Sequence, residues 1–162
     1  MTQPADPLEL LRRASGLSLD AEGQLLHEGE PIQHPGLRQL FQSSLDVLPS
    51  GEAIVRVGDQ WAYVDSPGSP FVVQHLRATG DAVSLRLNTG ATVTVPASEL
   101  RLRLHGDWLL TASWSPAGPV ARFGRRAWHA LAMAVDQGGD GRLWATVGPH
   151  RLAVERSALG GP

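Results

Sequence analysis

Cysteine is absent from the 162 residues, which removes disulfides, iron–sulfur clusters, cysteine-bound zinc and thiol nucleophiles. Lysine is absent too, because all fourteen basic residues are arginine. Without lysine there is no Schiff-base amine, no P-loop lysine and no lysine general base. No apolar run approaches about 18 residues, so no membrane-spanning helix is predicted. The opening MTQPADPLELLRR lacks the basic-then-apolar pattern of a secretory leader, and a cytoplasmic protein is expected. The formal charge is only −2, which gives no global attraction to nucleic acid or anionic lipid. Both are disfavoured as partners. Two isoleucines and a single asparagine, Asn88, accompany the all-arginine usage, as a GC-rich coding bias would produce. Arginine's forked guanidinium would equally suit anion contacts.

What is present is globular. Apolar residues make up 42% of the chain and charged residues 19%, and a chain of this length buries roughly 70% of its unfolded surface. Asp6-Pro7 opens a short helix with Leu8, Leu10 and Leu11 on one side and Gly16 as its stop. LSLDAEGQLLHEG then reads as a small hairpin. HPGLRQLFQSSLDVL places Leu37, Leu40, Phe41, Ser44, Leu45 and Leu48 at helical spacing. EAIVRV and QWAYVD alternate as strands around Gly58-Asp59, and SPGSP (Ser66 to Pro70) is the internal seam. Beyond it FVVQHLRA, AVSLRLN, ATVTV, RLRL and WLLTASW are strands with tight turns. Such turns predict antiparallel neighbours throughout, since a parallel return needs a long crossover. ARFGRRAWHALAMAV reads as one amphipathic helix, and RLWATV with RLAVE as a final hairpin. No repeat of 20 to 50 residues is visible.

The expected fold is therefore α+β and β-rich. Antiparallel rolled sheets form two small sub-domains, with two principal amphipathic helices and a short N-terminal helix. The expected boundaries are an arm over 1–16, an α+β sub-domain over 17–66, a β-rich sub-domain over 67–157 with a helix over 120–135 and the final hairpin, and a tail over 158–162.

The order of LDAEGQLLHEGEPI, LRQLF, SGEAIVRVGDQWAYV, PFVV, RFGRRAWHALAMAV and DGRLWATVGPHRLAVE resembles a bacterial family, domain of unknown function twelve-eighty-five. The resemblance covers roughly Leu17 to Glu155. It departs where the family carries an acidic pair before the proline, here spread over Val64 to Pro70, and where an aromatic follows the first glycine, here Leu25 or Leu26. The resemblance implies two small rolled sub-domains and carries no assigned activity.

Catalytic and metal patterns are weak. The six histidines lack the H-x₃₋₅-H spacing of structural zinc. No serine sits in a G-x-S-x-G elbow. Asp136 to Gly141 lacks the order of a calcium loop. No metal site and no cofactor are therefore expected. The candidate ligand-binding residues are His34, Tyr63 and His75, near the seam. The candidate anion-binding residues are Arg122, Arg125 and Arg126, read as a basic helix face that could meet phosphate or nucleic acid. The favoured reading is a non-enzymatic binding or interaction module. Its contact surface would be exposed strand edges or a groove, its partner a protein, a small molecule or a second copy through sheet edges. A small-molecule-binding protein or minor enzyme with a pocket at the seam is the alternative.

Overall fold

Glycine and proline punctuate the chain into short strands, and the computed structural model shows how these assemble. It describes residues 6–106, 109–116 and 118–157. The chain divides after Pro70 into two units, Met1–Pro70 and Phe71–Pro162.

In the first unit Asp6 caps helix α1 (Pro7–Arg13), its carboxylate accepting from the Leu8 N–H at 3.0 Å. Strands β1 (Leu17–Leu19), β2 (Leu25–His27) and β3 (Glu30–Pro31) form one antiparallel sheet. Helix α2 (Pro35–Ser43) leads into a second sheet of β4 (Leu45–Val47), β5 (Ala53–Val57) and β6 (Gln60–Tyr63). Leu19, Leu25, Leu45, Ala53, Val55 and Val64 make the core, with Phe41 of α2 packed against it. The Ser18↔Asp65 bridge ties β1 to the end of β6 in parallel. Two expectations change here. The helix expected to run to Leu48 stops at Ser43, because Leu45–Val47 pairs with β5 instead. The α1 leucines expected to line one packed side instead face solvent: Leu8, Leu10 and Leu11 are all exposed.

The second unit carries β7 (Val72–Thr79), β8 (Ala82–Leu87), β9 (Thr92–Pro96), β10 (Arg101–His105), β11 (Leu109–Ser113), β12 (Ala121–Phe123), helix α3 (Arg125–Ala132), β13 (Val135–Gln137), β14 (Leu143–Val147) and β15 (His150–Ser157). They form one nine-stranded sheet in the order β13-β14-β15-β10-β11-β12-β7-β8-β9. The sheet curls back on itself: His150 Nε2 lies 2.7 Å from the Gly80 carbonyl, bringing the β14–β15 turn to the β7–β8 turn. Alternating apolar residues such as Val83, Leu85, Leu102, Leu110 and Val154 fill the interior with Ala127 and Leu131 of α3.

The fold is α+β and β-rich, and consecutive strands pair antiparallel. Two junctions between strands distant in the chain are parallel, β10 with β15 and β12 with β7, which corrects the expectation of antiparallel neighbours throughout. The helix expected over 120–135 is likewise three elements. Ala121–Phe123 pairs with β7 and β11, α3 spans only Arg125–Ala132, and Val135–Gln137 pairs with β14.

A repeat also emerges. Three antiparallel strands, a helix and three more strands recur as β1-β2-β3-α2-β4-β5-β6 and β10-β11-β12-α3-β13-β14-β15. Each copy is closed by a parallel bridge, Ser18↔Asp65 or Arg103↔Glu155. From the helix onward the register is the same with a shift of 90 positions: Leu45↔Val55 matches Val135↔Ala145, and Val57↔Gln60 matches Val147↔His150. Few identities accompany it: Asp46 with Asp136, Gly51 with Gly141, Val57 with Val147, Gly58 with Gly148, and Val64 with Val154. The glycines recur because both turns need a left-handed residue, with φ of 59° at Gly58 and 56° at Gly148. Strands β7 to β9 have no counterpart in the first copy.

Candidate functional site

The two units carry opposite charge. Met1–Pro70 holds four arginines and ten carboxylates, a formal −6; Phe71–Pro162 holds ten arginines and six carboxylates, a formal +4; together these give the chain's −2. The overall charge therefore hides a basic half.

In the second unit, α3, β7 and the end of β14 enclose a cleft of about 640 Å³. Its existence follows from the topology. Strand β12 accompanies β7 only at Val72 and Val73, then Gly124 turns the chain into α3. Beyond Val73 the flank of β7 faces the helix rather than another strand. Ala127 and Ala130 on α3 and Ala134 just beyond it leave room there, with Leu131 and Val147 adding apolar surface. Gln74, His75, Arg77 and Arg126 supply the polar rim, and among the described residues none that line the cleft is a carboxylate.

A second hollow of about 290 Å³ shares His75, Leu76 and Arg77 and is completed by Ser84, Arg86 and Thr92 on β8 and β9. In the sheet His75 stands directly opposite Arg86, and Arg77 opposite Ser84. Three of the unit's other arginines are ion-paired: Arg103 with Glu155 at 3.3 Å, Arg151 with Asp136 at 3.4 Å and Arg142 with Asp140 at 3.5 Å. Among the described residues, Arg77, Arg86 and Arg126 form no ion pair.

The residues singled out in the sequence are distributed as follows. His75 and Arg126 line the same cleft. Arg122 is buried at 6% exposure on β12, so the expected helix face of Arg122, Arg125 and Arg126 does not form; only Arg125 and Arg126 belong to α3. His34 is the N-cap of α2, its Nδ1 accepting from the Leu37 N–H at 3.1 Å, and it borders a hollow with Leu37 and Phe41. Tyr63 lines a different hollow of about 520 Å³ with Arg13, Glu52, Asp65 and Ser66. Its hydroxyl donates to Glu9 at 2.7 Å, and its ring lies 4.0 Å from the Arg13 guanidinium carbon. That hydrogen bond to a carboxylate holds the Tyr63 phenol above its ordinary pKa. Arg13 in turn bonds Glu9 and Glu52 at 3.1 and 3.2 Å, so this network ties α1 to β6 and answers its own charges. Arg77 and Arg86 were missed. The alternation HLRA and SLRL already places them on outward faces, but only the register shows that they converge with His75.

Among the described residues no three histidines or carboxylates gather as metal ligands, and no helix is long and apolar enough to cross a membrane.

No family model and no curated protein matches the chain. Among solved structures it is similar to a DUF1285 family protein from Silicibacter pomeroyi DSS-3, with a TM-score of 0.62 at 14% identity, covering 96% of this chain and 90% of that one. It is also similar to a DUF1285 family protein from Shewanella baltica OS155, with a TM-score of 0.52 at 15% identity, covering 74% of this chain and 91% of that one. What is shared at these identities is the fold. It is the same family that the motif order in the sequence resembles.

Proposed function

We propose that this chain is a divergent member of the DUF1285 family, and that it acts by binding, with its ligand site in the cleft between α3, β7 and β14. The carrying observation is that this cleft is rimmed by His75, Arg77 and Arg126 with no carboxylate among the described residues that line it. Its apolar floor is formed by Ala127, Leu131 and Val147, with the exposed Ala130 at its edge. Its volume of about 640 Å³ suits a small molecule. The ligand class is accordingly a small acid: an apolar body against α3 and an anionic head, carboxylate or phosphate, against the guanidinium groups. The fold supports the family reading, and the free cations support the ligand class.

The test is calorimetric and thermal titration of the full chain with phenylacetate, phenyl phosphate and inorganic phosphate. Binding to the native state raises the melting temperature by mass action. Arg77→Ala and Arg126→Ala should each weaken an organic anion by about tenfold, the worth of one charge-assisted hydrogen bond. Ala130→Trp should fill the cleft and abolish binding while leaving the unliganded melting temperature unchanged, since Ala130 is exposed. Stabilisation by none of the three anions, or stabilisation indifferent to all three substitutions, would sink the reading.

A further inference from the structure

The repeat permits a comparison between two copies of one module, and they differ at one face. In the second copy β7 lies along α3 and the end of β14. A Cβ built at Gly148 would stand 2.5 Å from the Cβ of Ala78 on β7. Ala127 and Val147 are each only 6% exposed, and Leu131 4%. In the first copy the matching positions are Gly58, Leu37, Val57 and Phe41. No atom stands within 4 Å of a Cβ built at Gly58. Leu37 is 41% exposed and Val57 36%, Leu40 beside them is 45%, and Phe41 is half-buried. Strand β3, which holds the place of β12, is an edge of its sheet that pairs with no further strand among the described residues, where β12 instead receives β7 in parallel. A hollow of about 540 Å³ opens at that edge, lined by Ile32, His34, Leu37, Phe41 and Glu30.

We propose that this face of the first unit is a docking site for an extended segment of a partner protein, apolar at alternate positions and basic between them, which takes the place that β7 takes in the second copy. The repeat argues for a strand: the same helix-and-edge arrangement receives one in the copy where it is buried. Charge complementarity argues for basic residues. Glu30 lines the hollow and Glu28 is exposed beside it, neither forming an ion pair among the described residues, and Asp59 follows Gly58 at the far end of the face. The unit as a whole carries −6. The exposed leucines supply apolar contacts and the edge of β3 supplies the main-chain hydrogen bonds.

The probe is a labelled peptide of the sequence PFVVQHLRATG, which is Pro70–Gly80 of this chain and has the required alternation. Its binding to the full chain is read by fluorescence anisotropy. Saturable binding should weaken about tenfold or more in Leu37→Arg and in Val57→Arg, as loss of an interface anchor does. These positions are exposed, so unchanged melting confirms that both variants fold. Leu11→Arg on α1, an exposed leucine elsewhere, should leave binding unchanged. A peptide with His and Arg replaced by Glu should bind more weakly, and salt should weaken the original. Failure to saturate, or binding indifferent to Leu37→Arg, overturns the site. Equal binding of the glutamate peptide overturns the basic partner. A chain that is dimeric and becomes monomeric on Leu37→Arg assigns the face to a second copy and overturns the partner proposed. None of these outcomes depends on small anions, so this site and the α3–β7 cleft stand or fall separately.

Discussion

At the scale of single residues, polar side chains in this protein mostly hold backbone. Asn88, the lone asparagine, is 5% exposed, and its Oδ1 accepts from the Val72 N–H at 2.8 Å while its own N–H donates to the Val72 carbonyl at 2.9 Å. Alternation along β8 aligns Asn88 with the outward Ser84 and Arg86, but it lies past the end of that strand and turns inward. Asn88→Ala leaves a buried N–H without its acceptor, so it should lower stability by about 1–3 kcal/mol in urea unfolding. A loss below a few tenths would mean that water or another group replaces it. Tyr63 gives a second test, because it is the only tyrosine and its phenolate absorbance is unmixed. The hydrogen bond to Glu9 favours the neutral phenol, so the folded pKa lies above tyrosine's ordinary 10.0. The contribution to stability is full below that value and fades as pH climbs through the raised folded pKa. Glu9→Gln should bring the titration midpoint down toward that of free tyrosine, and an unmoved midpoint would remove Glu9 as the cause.

At the scale of elements, local chemistry explains starts better than stops. Helices α1 and α2 both begin at a proline whose missing N–H is harmless there, and Pro7 and Pro35 were legible for that reason. The ends were not legible, since Leu45 and Val135 satisfy a helical spacing yet are taken by sheet pairing. An apolar residue suits either element, and hydrogen bonds from a distant strand decide between them. The cap of α2 can be tested directly. His34→Ala removes the acceptor for the Leu37 N–H and should cost about 1 kcal/mol, whereas His34→Asn should restore most of it. Equal melting temperatures for the alanine and asparagine variants would show that the imidazole is not the cap.

At the scale of the whole molecule, two cores are the organising fact, one built on Leu25 and Val55, the other on Leu85, Leu102 and Leu110. Leu85 is fully buried, so Leu85→Ala should cost about 2–5 kcal/mol. Hydrogen exchange should quicken through β7 to β12 while the amides of β4 to β6 keep their protection. Equal quickening in both would mean one cooperative unit. The sequence by itself determined the strand-and-turn punctuation, the hairpins, the starts of α1 and α2 and the excluded chemistries, because each is written in residues a few positions apart. Its motif order also resembles the family of the neighbouring solved structures, with which the chain shares its fold. Only the tertiary structure decided the parallel closures, the repeat and the gathering of Arg77, Arg86 and Arg126 around one cleft and its adjoining hollow. Pairing between segments tens of residues apart leaves no turn signal, and two copies of a module keep their hydrogen-bond register with few identities because backbone geometry, rather than side-chain identity, is what the repeat conserves.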